Sequence, residues 1–135
     1  RRLPIRTLAC LHPRRPTRSP LLPYPTLFRS ITLIFGDNRK QLVQTELYLF
    51  EGEEMIRLYT RVGPLNKLSE TQLSALLGLN FSLAFGALAS FGEALVMTET
   101  LLMRESVHNQ LAYAVRFLAE TADGYEQQIY GTDQY

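Results

Sequence analysis

Apolar and polar positions change rhythm several times along this chain, and each change marks an element. Ile31-Thr-Leu-Ile-Phe35 is β-branched and aromatic, the composition of a strand. Gly36-Asp37-Asn38 after it is turn chemistry. A second strand spans Gln41 to Phe50, carrying Leu42, Val43, Leu47, Tyr48, Leu49 and Phe50, and Glu51-Gly52-Glu53 turns the chain again. From Met55 to Val62 the alternation is strict. Ile56, Leu58, Thr60 and Val62 fall on one side, and Arg57, Tyr59 and Arg61 on the other. Gly63-Pro64 is expected to end this strand. Connections this short give an antiparallel meander with one dry face and one wet face.

The period then lengthens. Ser69 is an N-cap with Gln72 at N3, a capping box, and Leu68 and Leu73 stand at the staple positions. Leu73, Leu76 and Leu77 form the expected apolar stripe of a helix that stops near Asn80. Small and apolar residues follow, Leu83-Ala-Phe-Gly-Ala-Leu-Ala89, and fit a hairpin that turns at Phe91-Gly92-Glu93 and returns as Ala94 to Met103. Ser106 is the expected cap of a last helix. There Leu111, Val115, Leu118, Ala122, Tyr125 and Ile129 recur at spacings of 4, 3, 4, 3 and 4, one continuous seam. Gly131 is its stop. Gly124 costs about 1 kcal/mol against alanine in a helix interior, so fraying is expected after Asp123. The order β-β-β-α-β-β-α makes an α+β domain: a three-stranded meander plus a hairpin, with a middle helix and a long C-terminal one.

Composition divides the chain in two. Residues 1–30 hold seven of the fourteen basic residues, six of the seven prolines, the only cysteine and no acid. Residues 31–135 hold the other seven basic residues and all thirteen acids, so the net charge of +1 describes neither part. A basic, proline-rich stretch with little apolar periodicity does not bury enough surface to offset its chain entropy, and 1–30 is expected to be disordered. Its prolines forbid the amphipathic helix of a transit peptide. Pro23-Tyr-Pro-Thr-Leu-Phe-Arg-Ser30 closely resembles a translated short-read sequencing adaptor, Pro-Tyr-Thr-Thr-Leu-Phe-Arg-Ser, and the segment is read as non-native on that ground. The domain is therefore assigned to 31–135. It has no cysteine, which excludes disulfides, thiolate chemistry and cysteine-based zinc sites. Its acidic balance argues against nucleic acid as a partner.

Candidate chemistry is scarce. HExxH, P-loop, GxGxxG and GxSxG patterns are all absent. His108 is the only histidine after residue 30 and has no triad-like companions. Glu51, Glu53 and Glu54 lack the ligand spacing of a calcium loop. Glu99 is expected to pair with Arg57 or Arg61 across the sheet, and Tyr113 and Phe117, off the seam, to be core on a second face. No catalytic, cofactor or metal residue is assigned, and the chain is expected not to be an enzyme. A competing reading takes the uncharged run 71–92 as a membrane span, although Ser74, Asn80, Ser82, Ser90 and three glycines dilute it.

Three stretches carry a family resemblance: Glu53-Glu-Met-Ile-Arg-Leu-Tyr59, Leu79-Asn-Phe81 with Phe85-Gly-Ala-Leu-Ala89, and Thr100-Leu-Leu102 leading to Phe117-Leu-Ala-Glu-Thr-Ala-Asp123. Over about residues 31–131 the chain resembles the class I type III secretion chaperones (the Tir-chaperone or CesT-like family) and the YbjN-like proteins described as sensory transduction regulators. The family begins with a helix that is missing here, where 1–30 stands. The resemblance implies a bacterial, cytoplasmic homodimer that holds an extended segment of a client protein, or a regulatory domain without a secretion client, and it implies no cofactor. Candidate protein contacts are Leu47, Leu49, Ile56, Leu58, Phe85 and Leu88. Each of the six is equally at home in a core, and singly that is the commoner outcome.

Overall fold

The computed structural model describes residues 27–104 and 107–131; the remainder of 1–30 and the Ser106 cap lie outside the described residues. Strands β1 (Leu27–Ile34), β2 (Lys40–Phe50) and β3 (Glu53–Pro64) form the meander. Helix α1 (Glu70–Ser82) is followed by β4 (Ala87–Phe91), β5 (Ala94–Leu102) and α2 (Val107–Tyr130). All strand pairs are antiparallel, in the order β1-β2-β3-β5-β4. The expected α+β class and element order are those of the structure.

The first strand starts at Leu27, four residues earlier than expected, because Leu27 to Ser30 continue the same unbroken register against β2. The β2–β3 turn has Glu51 and Gly52 both at positive φ, +50° and +84°, the backbone of a two-residue hairpin whose twist matches its strands. The third strand takes in Gly63 and ends at Pro64, two residues beyond Val62. The register shifts between Arg61 and Gly63, and both residues then pair with β5. Glycine is required there because a Cβ on Gly63 would sit 2.2 Å from the ring of Tyr130, whose hydroxyl donates to Pro64 O at 2.9 Å.

The core lies between one face of the sheet and α2, which packs on β2, β3 and β5. Val43, Ile56, Leu58, Val62, Leu95 and Met97 meet Ala114, Val115, Leu118, Ala119 and Ala122. Burial along β3 follows the expected alternation, with Ile56, Leu58, Thr60 and Val62 inward. The expected seam of α2 faces the sheet, but it also buries Asp123 and Glu126. Asp123 is matched by Arg39, which reaches over from the β1–β2 turn, bonds Asp37 as well and stacks its guanidinium over Phe35. Gln41 Nε2 donates to Thr60 Oγ1 and Arg61 O, both at 2.7 Å. The Arg39–Asp123 bridge and Tyr130 on Gly63 hold α2 helical beyond Gly124. They outweigh the glycine's cost of about 1 kcal/mol, and the expected fraying does not occur. Gly131, at φ +64°, ends the helix as expected.

Residues 71–92 are a helix, a short connection and a strand. Among the described residues no helix is long and apolar enough to cross a membrane, so the spanning alternative falls.

Candidate functional site

Helix α1 forms where its capping box dictates: Gln72 N–H donates to Ser69 Oγ at 3.2 Å and Ser69 N–H to Gln72 Oε1 at 2.9 Å. Its expected stripe is only partly inward. Leu76 is the helix's one buried side chain, whereas Leu77 is 71% and Phe81 98% exposed, with Leu73 also at the surface. The leucines at 73, 76, 77 and 79 together with Phe81 spread over about half of the helix's circumference, so no narrow apolar face was readable. What anchors it is Asn80. Its side-chain amide donates to Leu88 O at 3.0 Å and accepts from Leu88 N–H at 2.7 Å, so one side chain meets both backbone groups of an edge residue. Outward, Leu73, Leu77 and Phe81 follow one another at i, i+4 and i+8, an apolar row on one side of the helix.

A second apolar surface is a groove of about 560 Å³ between β1 and α2. Ile31, Leu33 and Phe35 form one wall, Leu111 and Val115 the other, and Arg116 and Glu120 stand at the rim, paired with each other at 2.9 Å. The groove exists because α2 covers the middle of the sheet and leaves the core-side face of β1 open: Ile31 is 40% exposed and Leu33 is only half-buried. The Arg39–Asp123 bridge fixes the β1–β2 turn against α2, so Phe35 is held at the groove's end.

The six residues proposed from sequence form no surface together; all but Leu49 belong to the core cluster or pack against it. Ile56, Leu58 and Leu88 are buried in the core, which leaves them no surface for a partner; their alternation reported the core face itself. Leu47 and Leu49 are half-buried on the core side of β2. Phe85 is also half-buried and joins Tyr113 and Phe117 in an aromatic cluster, with ring centroids 5.8 and 6.0 Å from it. Of the two helix aromatics read as core, Phe117 packs against it and Tyr113 is 59% exposed. The residues that line the groove and the outer row of α1 escaped the sequence reading. The available signal was the first strand itself, whose core-side positions 31, 33 and 35 are all apolar.

The wet face of the sheet carries a further cleft of about 510 Å³, where Tyr59 and Phe91 meet with centroids 5.3 Å apart beside Leu42 and Val96. Burial, reinforced by the charge of Glu46, raises the Tyr59 hydroxyl above its ordinary range against the opposing pull of Arg57. Glu99 pairs with neither arginine. It lies opposite Leu58 on the core side, whereas Arg57 and Arg61 point to the other face, and it accepts from the backbone N–H of Gly86 at 2.7 Å instead. Arg57 pairs with Glu46 and lies over the Tyr48 ring. His108's side chain lies outside the described residues. Among the described residues no group of three histidine, cysteine, aspartate or glutamate side chains could hold a metal.

No protein family matches the chain by sequence, and no curated protein does. By structure it is similar to a chain in the crystal structure of the ExsC–ExsE complex, with a TM-score of 0.55 and 14% identity over 74% of this chain and 75% of that one. At that identity the likeness is one of fold alone, here an α+β arrangement of a five-stranded antiparallel sheet with two helices.

Proposed function

We propose that this chain is a non-enzymatic, cytoplasmic protein-binding domain that holds an extended segment of a client protein, as a secretion chaperone does. The observation that carries this reading is the open apolar groove between β1 and α2, walled by Ile31, Leu33, Phe35, Leu111 and Val115. A groove lined by fixed secondary structure, apolar along its floor and charged only at its rim, suits a non-globular segment whose side chains are otherwise exposed to water. The solved neighbour comes from a complex of two proteins, which favours the same reading. The apolar row Leu73, Leu77 and Phe81 on α1 is assigned to a homodimer contact: a helix that exposes this much apolar surface gains most by packing on its own copy across a two-fold axis.

The client role is tested with reduced, carboxymethylated α-lactalbumin, a chain that cannot refold, titrated against the fluorescently labelled protein. Ile34→Asp at the mouth of the groove should weaken binding about tenfold. Phe50→Asp, also largely exposed but remote from the groove, should leave it unchanged. Equal binding by all three proteins would remove the groove from the function.

A further inference from the structure

The face of the sheet turned away from α2 is polar over its middle, where Glu46 stands across from Arg57 and Arg57 across from Thr100. Toward the β4–β5 turn the character changes. Val96 is the cross-strand neighbour of Arg61 and shares its face, yet it is only 4% exposed and takes no part in the core cluster. It is an apolar side chain buried on the wrong side of the sheet. Tyr59 from β3 and Phe91 from the edge strand β4 meet beside it, their ring centroids 5.3 Å apart.

The result is the cleft of about 510 Å³, within the range of roughly 300–1,000 Å³ typical of small-molecule sites. Such sites join an apolar floor to a few convergent polar groups, and this one does so. Leu42 and Val96 make the floor and the two rings make a wall. Burial and Glu46 favour the neutral Tyr59 hydroxyl, so the wall carries no charge. The charges of the lining are Arg61, beside Val96, and Glu93, in the turn, both exposed.

These features narrow the ligand. An aromatic ring gains most against a tilted aromatic pair. The fork of an arginine takes a carboxylate through two hydrogen bonds. A ligand on the floor comes near both charges. With a carboxylate alone it would face Glu93, with an amine alone it would face Arg61, and either approach of like charges is costly. A zwitterion answers both. We infer that this cleft binds a free aromatic α-amino acid, its ring against Tyr59 and Phe91, its carboxylate on Arg61 and its ammonium at Glu93. The site is on the opposite face from the groove beside β1 and stands independently of the client reading.

The probe is L-phenylalanine, titrated into the isotope-labelled full chain and followed by amide chemical shifts. Saturable shifts should appear at residues 42–44, 59–61 and 91–96. Phenethylamine, 3-phenylpropanoate and L-leucine lack the carboxylate, the ammonium and the ring in turn, and each should bind about tenfold more weakly or worse. Phe91→Ala, at an exposed position, should weaken L-phenylalanine by a similar factor. Glu93→Gln should bring L-phenylalanine down to the level of 3-phenylpropanoate and leave 3-phenylpropanoate no weaker than before. Arg61→Gln should do the same against phenethylamine. A damaged fold would not produce this pairing of variant with analogue, and Glu93→Gln carries the test alone if Arg61→Gln alters the spectrum of the whole chain. Absence of saturable shifts, shifts centred on the groove instead, or equal affinity for L-phenylalanine and its two singly charged analogues overturns the inference. So do shifts at the cleft that follow protein concentration without ligand, since they would give this face to a second copy of the chain.

Discussion

Tyr59 shows how one side chain reads two environments. It alternates out of the core on β3, yet Phe91 and Val96 close over it on the wet face. Burial first, and Glu46 second, favour its neutral form, so its pKa lies above the ordinary value of about 10. A group whose folded pKa is raised lends stability that is complete below the unfolded pKa and disappears as pH rises through the folded one. The ultraviolet difference titration of wild type against Tyr59→Phe should therefore show one tyrosine ionising later than the rest, and the stability advantage over Tyr59→Phe should shrink in the same alkaline window. A Tyr59 that titrates at or below the ordinary value refutes the cleft as described. The alternation that places Tyr59 on the face opposite Leu58 was legible in the sequence, because side chains alternate along a regular stretch of strand. Its burial was not, because Phe91 arrives from a strand more than thirty positions away. Glu99 makes the same point: its position on the return strand was legible, but only the β3–β5 register puts it on the core side, away from Arg57 and Arg61.

Among the elements, α1 is the most precariously held. One buried side chain, Leu76, and one bidentate amide, Asn80, join it to the sheet. Burying a leucine is worth roughly 1.5–3 kcal/mol, and a part-buried backbone N–H and C=O deprived of a partner cost about 1–3 kcal/mol. Asn80→Ala should therefore uncouple the helix rather than unfold the protein: amide hydrogen exchange should accelerate through 70–82 while the protection of β2, β3 and β5 stays as it was. Uniform loss of protection would mean that α1 belongs to the core's cooperative unit. The helix's beginning was written locally, in Ser69 and Gln72. Its orientation was not, since leucines at 73, 76, 77 and 79 allow several faces and the choice falls to Asn80 finding Leu88. The opposite holds for α2. Its seam was plain in the spacing, but its length past Gly124 depends on Arg39 meeting Asp123 and on Tyr130 seating against Gly63.

For the molecule as a whole, two stretches of the open apolar surface, the outer row of α1 and the groove beside β1, lie on separate elements. If the row is a self-interface and the groove a client site, the two should separate by mutation. Leu77→Glu with Phe81→Glu, both at positions exposed in the single chain, should convert the dimer to a monomer in size-exclusion chromatography with light scattering, while binding of carboxymethylated α-lactalbumin per chain persists. An unchanged mass for the double variant would rule out α1 as the contact between copies.

The sequence by itself determined the element order, the α+β class, the inward set on β3, the capping box and the seam of α2. All of these arise from neighbours within a few residues, through the two-residue period of a strand, the 3.6-residue period of a helix and the hydrogen bonds of a turn or cap. Only the tertiary structure decided which apolar residues stay outside. Ile56, Leu58 and Leu88 went into the core, while Ile34, Leu73 and Leu77 remained at the surface, although all six are apolar residues within predicted strands and helices. Period and propensity report that a face is apolar. They do not report whether another element arrives to cover it, because that depends on how far α2 extends across the sheet and on which edge α1 closes.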